Sequence, residues 1–419
     1  MATTARVPSG STKTDPVEQQ VKQLNAPQTP LIIGALIVGA ILMIYLMTTQ
    51  HISQSLLLVL GLLLGYTLFH ARFGFTSAFR RFASVGNGQA LRAHMLMLAV
   101  AVTLFAPILA FGYSFFGTGV SGYVSPVGIS LLVGAFMFGV GMQLGGGCAS
   151  GTLYAVGGGR SVMLVTLLFF IIGSTIGAAH FSFWTQDLPS FEPISLATST
   201  GLGYGGAWIV SIALFGLIAW ITLVVERKKK APKMAALPTT SGWKRIFRGS
   251  WPLFAAAIAL AVLNALTLMT RGAPWGITSA FALWGSKVAQ FFGVDVASWG
   301  FWQGANAQML EASIFADSTT VLNFGVILGA FLASAAGGLF KFTNMNIKNV
   351  AAAIIGGLLM GYGARLAFGC NIGAYFGGIA SFSIHGYAWG ILALAGTFVA
   401  LYLRPLFGLS VPKSKDSFC

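Results

Sequence analysis

Of the 419 residues, 56% are hydrophobic and 8% charged, against about 25% charged in an ordinary globular domain. So few charges cannot cover a water-facing surface, and the mean hydropathy of +0.81 agrees, which excludes soluble enzymes, nucleic-acid binders and disordered chains. The net charge of +15 does not argue for a nucleic-acid partner, because the Lys and Arg lie between apolar runs, the pattern that orients membrane helices. Composition therefore predicts an all-α polytopic membrane protein. Three cysteines rule out a disulfide framework.

Residues 1–29 read as a disordered cytoplasmic tail. They lack a short apolar core with a small-residue cleavage site, so the first apolar run is expected to stay as a helix. Crossing a bilayer takes about 20 apolar residues. Ten runs qualify: 31–48, 54–70, 92–113, 127–145, 162–180, 207–225, 252–269, 321–340, 350–368 and 387–403. The loop after the sixth, ERKKKAPK…KRIFR, holds eight basic residues from Arg227 to Arg248 and is placed in the cytoplasm. Alternation from there puts both termini inside. It leaves Arg271 and Lys287 outside and Arg365 within a run.

Two motifs occur twice, in the same order. GFTSAF at 74–79 returns as GITSAF at 276–281, and GVGMQLGGGCASG at 139–151 returns as GYGARLAFGCNIG at 361–373. One Gly-x-Gly alone would mean helix packing; two ordered matches mean a repeat. Five spans separate the copies, an odd number, so the halves are expected to be inverted. The organisation read from this is an extra span at 30–50, a first repeat at 51–206, and a linking span with basic loop at 207–250. A second repeat at 251–403 and a cytoplasmic tail at 404–419 complete it. The segments near 74–83, 149–157, 276–290 and 371–381 are too short to cross and read as four re-entrant half-helices. Irregular backbone at membrane depth is tolerated only inside protein or beside a polar cavity, and inverted repeats with broken helices commonly build solute sites.

The chemistry open to such a centre is narrow. None of the nine acidic residues falls in an expected span, so a carboxylate proton relay or cation site has no support. No HExxH, P-loop or metal-ligand spacing is present, and no cofactor is implied. Cys, Thr, Ser, Asn, backbone amides and one Arg remain. Half-helix N-termini favour anions, and a thiol suits a soft sulfur atom. A free Cys is most often a small buried hydrophobe, but Cys148 and Cys370, behind Gly147 and Gly369, hold equivalent positions in the repeats. Thr76, Ser77, Thr278 and Ser279 are either half-helix caps or substrate contacts. Asn371 is a cap or a donor. Arg365 reads first as snorkelling or carbonyl-paired, and also as a path residue, with Gln143 as its repeat partner. His51, His94 and His385 are expected at the interfaces.

GFTSAFRRF, GxGxxLGGGCASGTLY and GxGARLAFGCNIGAYFGGI resemble the YeeE/YedE family of bacterial sulfur-transport membrane proteins, over about residues 54–403. The resemblance implies thiosulfate uptake across the inner membrane, with Cys148 and Cys370 lining a central path through non-covalent S–H···S contacts. It also implies no enzymatic activity. A small soluble sulfur-carrier protein at the cytoplasmic mouth is implied by analogy alone, and selenium metabolism is the association of the YedE branch. Some members carry a Cys just before TSAF, where this chain has Phe75 and Ile277, so two thiols are expected here, not three. Two other readings stay open: a passive channel for a small solute, and, ranked last, a membrane sulfurtransferase, which lacks a visible base.

Overall fold

The computed structural model describes residues 24–235, 237, 239–414 and 416. Most of the expected disordered tail, and Cys419, lie outside these. The end of that tail is tied down: Asn25 Nδ2 donates to the Gly338 carbonyl at 3.2 Å and Gln28 Nε2 to the Phe340 carbonyl at 3.0 Å.

The helices are α1 (Thr29–Thr49), α2 (Ile52–Ala71), α3 (Phe75–Val85), α4 (Gln89–Phe111), α5 (Ile129–Leu144) and α6 (Ala149–Gly157). Next come α7 (Ser161–Ala179), α8 (Gly203–Lys229), the short α9 (Lys244–Arg248), α10 (Leu253–Arg271), α11 (Thr278–Phe291) and the short α12 (Ala307–Glu311). The last are α13 (Ser318–Ala336), α14 (Ile347–Leu366), a π-helical turn Asn371–Gly377 running into α15 (Gly378–Ala380), and α16 (Ile384–Leu403). Ten helical stretches among the described residues are long and apolar enough to cross a membrane, α2 being counted together with α3 and α5 together with α6. The molecule is an all-α, multi-pass membrane protein, with spans close to the ten expected. α8 runs further than expected and takes in Glu226, whose carboxylate pairs with Arg92 at 2.8 Å in its last turn.

Lipid offers no hydrophobic drive for helices to associate, so close backbone approach does that work. α2 and α13 show how. Gly61 and Gly65 face Gly325 and Gly329, and a Cβ at Gly65 or Gly329 would collide with the carbonyl of Val326 or Leu62 on the other helix. The main contacts are α7 with α14, α2 with α13, α5 with α14 and α5 with α16, followed by α4 with α10, α4 with α8, α6 with α13 and α2 with α10. α1 and α8 lie at the periphery and leave most of their surface to the bilayer. α3, α6 and α11, with 11, 9 and 14 residues, are too short for a hydrocarbon core of about 30 Å at about 1.5 Å per residue.

Two expected interfacial histidines are interior. His94 sits among the rings of Phe73, Phe75 and Phe79, and His385 is buried with Nδ1 2.7 Å from Ser383 Oγ. His51 is exposed and caps α2 by accepting the Ser53 amide.

Candidate functional site

Each motif cysteine follows a break made by the residues before it. After α5 the chain turns through Gly145 and Gly146, the latter at φ +82°. After α14 it turns through Phe368 at φ +56° and Gly369 at φ +145°. The carbonyls freed at the end of α14 find donors: Ser130 Oγ reaches Leu366 O at 2.6 Å, the Tyr123 hydroxyl reaches Phe368 O, and Trp389 Nε1 reaches Gly369 O at 3.2 Å. Helix ends buried in a membrane need such partners.

Cys148 and Cys370 then stand at the N-termini of α6 and the π turn, both 1% exposed. Cys148 Sγ lies 3.4 Å from Ser150 Oγ, and Cys370 Sγ accepts the Ile372 amide at 3.4 Å. α6 packs on the π turn. Gly147 closes tightly on the Gly151–Thr152 backbone, so no side chain fits there without a shift. Asn371 is fully buried, and neither its Oδ1 nor its Nδ2 has a hydrogen-bond partner. An unpaired buried amide costs about 1–3 kcal/mol, so Asn371 marks a place where a polar partner would be stabilising.

The hydroxyls expected as caps do not cap. α3 and α11 begin after Gly74 and Ile277 without a side-chain cap bond. Ser77 donates back to the Gly74 carbonyl at 3.0 Å, and the buried Thr76 hydroxyl has no partner. Gln143 links α3 of the first half to α16 of the second: its Nε2 donates to the Thr76 carbonyl at 3.0 Å and to Thr397 Oγ1 at 3.3 Å. Tyr375 of the π turn meets Phe75 and Phe79 of α3 edge-on, with ring centroids 6.2 and 6.1 Å apart.

A cavity of about 350 Å³ opens beside the second half, with Thr278, Ser279, Arg365, Gly369 and Gly373 in its wall. Arg365 does not snorkel. It is buried, donates from Nη2 to Thr278 Oγ1 at 3.4 Å, lies 4.7 Å over the Phe301 ring and keeps Nε without a partner. Two wall residues had no functional reading in the sequence, Arg271 and Tyr123. Arg271 Nη1 donates to Thr319 Oγ1 at 3.1 Å, and Ser279 Oγ donates to the same oxygen at 3.2 Å. Arg271 had counted only as an outside loop charge, and nothing in the sequence marks Tyr123. Asp317 also lines the cavity, but its oxygens are turned to the start of α13, where they accept from Thr319 N, Thr320 N and Thr320 Oγ1 at 3.2, 2.9 and 2.8 Å.

The sequence-predicted residues thus fall into two groups. Thr278, Ser279, Arg365 and Gly369 share the cavity, while Thr76, Ser77, Gln143, Gly147 and Cys148 are packed in the first half. Cys370 and Asn371 lie in the chain between the wall glycines Gly369 and Gly373 and are not themselves in the wall. Two guanidiniums and wall hydroxyls, next to the unpartnered Asn371 amide, suit a small oxyanion. Among the described residues no cluster of three His, Cys, Asp or Glu could hold a metal ion.

Against known proteins, a family model described as "Sulphur transport" matches residues 70–399. The thiosulfate transporter TsuA of Escherichia coli K12 is 26% identical over 362 residues, 83% of this chain and 94% of the relative. TsuA of Spirochaeta thermophila is 29% identical over 353 residues, 83% of this chain and 97% of the relative. The probable transporter YedE of Escherichia coli K12 is 32% identical over 170 residues, 40% of this chain and 42% of the relative.

Proposed function

The chain belongs to the sulphur-transport family, and on that premise we propose that it takes up thiosulfate, or a closely related sulfur oxyanion, across the bacterial inner membrane. Both termini lie in the cytoplasm, and the chain carries no enzymatic step, in keeping with relatives that are named transporters. The observation that carries the reading is the pair of buried thiols at the tips of two short segments packed on each other, beside a cavity holding Arg271 and Arg365. The anion enters the cavity, is held by Arg365, Thr278 and Ser279, and passes Asn371 to reach the thiols. Its terminal sulfur meets Cys370 and then Cys148 through S–H···S contacts, with no bond made or broken. The Gln143–Thr76–Ser77 side receives it.

Two inverted repeats support this path. Exchanging 51–206 with 251–403 turns the α2–α13 contact into α10–α4 and α7–α14 into α16–α5, and maps α5–α14 and α2–α10 onto themselves. The cavity wall includes the glycines beside Cys370 but not Cys148, which favours a gated carrier over an open channel. Neither sulfur has a histidine or carboxylate at hydrogen-bond distance among the described residues, which argues against a sulfurtransferase. A small sulfur-carrier protein collecting the product at the basic cytoplasmic face completes the proposal.

The test is uptake of labelled thiosulfate into proteoliposomes. Cys148→Ala and Cys370→Ala, at matched incorporation, are each expected to reduce uptake at least tenfold, and flux should saturate. Sulfate, sulfite and selenium oxyanions serve as competitors. Unchanged uptake in both variants would remove the thiol path.

A further inference from the structure

The repeat alignment sets Gln143 against Arg365 and Arg80 against Ala282. Each half therefore has a guanidinium beside its TSAF segment, but a different element supplies it. In the second half the long helix α14 supplies Arg365, which donates to Thr278. In the first half the short helix α3 supplies Arg80, whose Nη1 donates to Gln143 Oε1 at 3.3 Å, and Gln143 in turn holds the Thr76 carbonyl.

A second cation converges there, as Arg271 does in the cavity. Arg404, buried at the end of α16, donates from Nη1 to the carbonyl of Gln143, the same residue whose side-chain oxygen Arg80 reaches. No carboxylate of the described residues lies within ion-pair distance of Arg80, Arg404 or Arg365. Uncompensated guanidiniums gathered inside a membrane protein repel each other and are costly to hold, and an anion between them offsets both effects. The Arg80 and Arg404 side chains use carbonyl and amide oxygens that satisfy donors without cancelling charge. Bracing Gln143 would need only a donor, which Lys or Gln could supply. Retention of a guanidinium through an exchange of elements points to the charge as the property that matters.

We propose that Arg80, with the Gln143 side chain beside it, forms a second oxyanion site on the first-half side of the cysteine pair. It is the counterpart of the Arg365 site, so that the ion passes from one guanidinium to the other across the thiols. This rests on the transport reading above. The ligand class is a small multivalent oxyanion whose oxygens match the planar guanidinium fork.

The experiment uses the full-length protein in proteoliposomes of known orientation and labelled thiosulfate, with half-saturation measured from each face. Arg80→Ala is expected to raise half-saturation at the basic-loop face at least tenfold, while the opposite face stays within twofold. Arg80→Ala combined with Gln143→Arg reproduces the second-half arrangement and is expected to return the constant to within threefold of the unaltered protein. Unchanged constants at both faces in Arg80→Ala would overturn the site. So would a double variant that elutes as folded protein yet stays as impaired as the single one. Should the double variant fail to fold, Arg80→Lys against Arg80→Gln decides: Lys retaining markedly more affinity supports the site, and equal loss overturns it. An unaltered protein that carries no thiosulfate would sink the transport reading and this site together, whereas one that carries it with Arg80→Ala unaffected sinks only the site.

Discussion

After Cys148 the chain runs as a nine-residue α-helix, whereas after Cys370 it makes a seven-residue π turn before three residues of α-helix. One aligned position accounts for part of this. Thr152 gives both its amide and its hydroxyl to the Cys148 carbonyl, at 2.7 and 2.9 Å. Its counterpart Ala374 has only the amide, at 2.9 Å from the Cys370 carbonyl, and the Tyr375 amide joins it at 3.3 Å in the wider turn. π turns often mark functional positions, and here the turn adjoins the cavity, the unpartnered Asn371 and the buried Arg365. The first copy is packed and locally relaxed. The second is strained and borders open space. The two copies of the Gly-Cys motif thus differ in local conformation, as the proposed carrier would if it faced one side.

The largest effects are expected where the halves should still behave alike. Gly139 and Gly361 are aligned, and each lies against a neighbouring backbone, with a Cβ colliding with the Ala393 carbonyl or the Phe170 carbonyl. Overpacking costs about 1–3 kcal/mol where neighbours can shift, and backbone cannot shift as a side-chain tip does. Gly139→Val and Gly361→Val are both expected to abolish monodisperse protein in size-exclusion profiles. Normal yield for one and loss for the other would break the image relation at the helix crossings.

Next in size is a contrast. Ser279 is in the cavity wall, while its counterpart Ser77 is not and donates to Gly74 instead. A membrane-impermeant maleimide added from outside is expected to label Ser279→Cys and to leave Ser77→Cys at the background of the unaltered protein, read by intact mass. Equal labelling would mean that the open and packed halves exchange freely or that the orientation is reversed.

Much of this frame was legible in the residues. Bilayer thickness demands apolar runs of a set length, so ten runs gave ten spans. Clustered glycines before a short apolar stretch announced the breaks at 145–147 and 369, and repetition singled out the two thiols. What stayed hidden depends on contacts distant in sequence. Arg80 and Arg271 read as orientation charges between runs, because a positive-inside count absorbs every loop Arg alike. His94 looked interfacial by its place near a run end, but three phenylalanines from the α2–α3 turn and α3 enclose it. The π turn was invisible because NIGAYFG and ASGTLYAVG are both plausible helix starts. The difference lies in a single lost hydroxyl and in what packs around it.

The smallest expected effect isolates the strain. Gly146 and Phe368 are aligned, and both sit in the left-handed region, at φ +82° and +56°. Gly takes that conformation at no steric cost, whereas a bulky residue there stores about 1–3 kcal/mol. Phe368 offsets this through the Tyr123 hydroxyl on its carbonyl and an edge-on contact with Phe181 at 6.3 Å. Removing a half-buried ring would ordinarily lower stability by about 2 kcal/mol or more. At this position relief of the turn opposes the loss, so Phe368→Gly is expected to stay within about 1 kcal/mol of the unaltered protein. Gly146→Ala gains nothing in exchange, because its new Cβ meets both the left-handed backbone and the Met163 methyl at 2.7 Å, and it should lose about 1 kcal/mol or more. Thermal unfolding in detergent, with both variants side by side, reads the difference. If Phe368→Gly proves the more damaging of the two, the ring rather than the backbone turn holds Cys370 in place, and the strain assigned to the second half would have to be withdrawn.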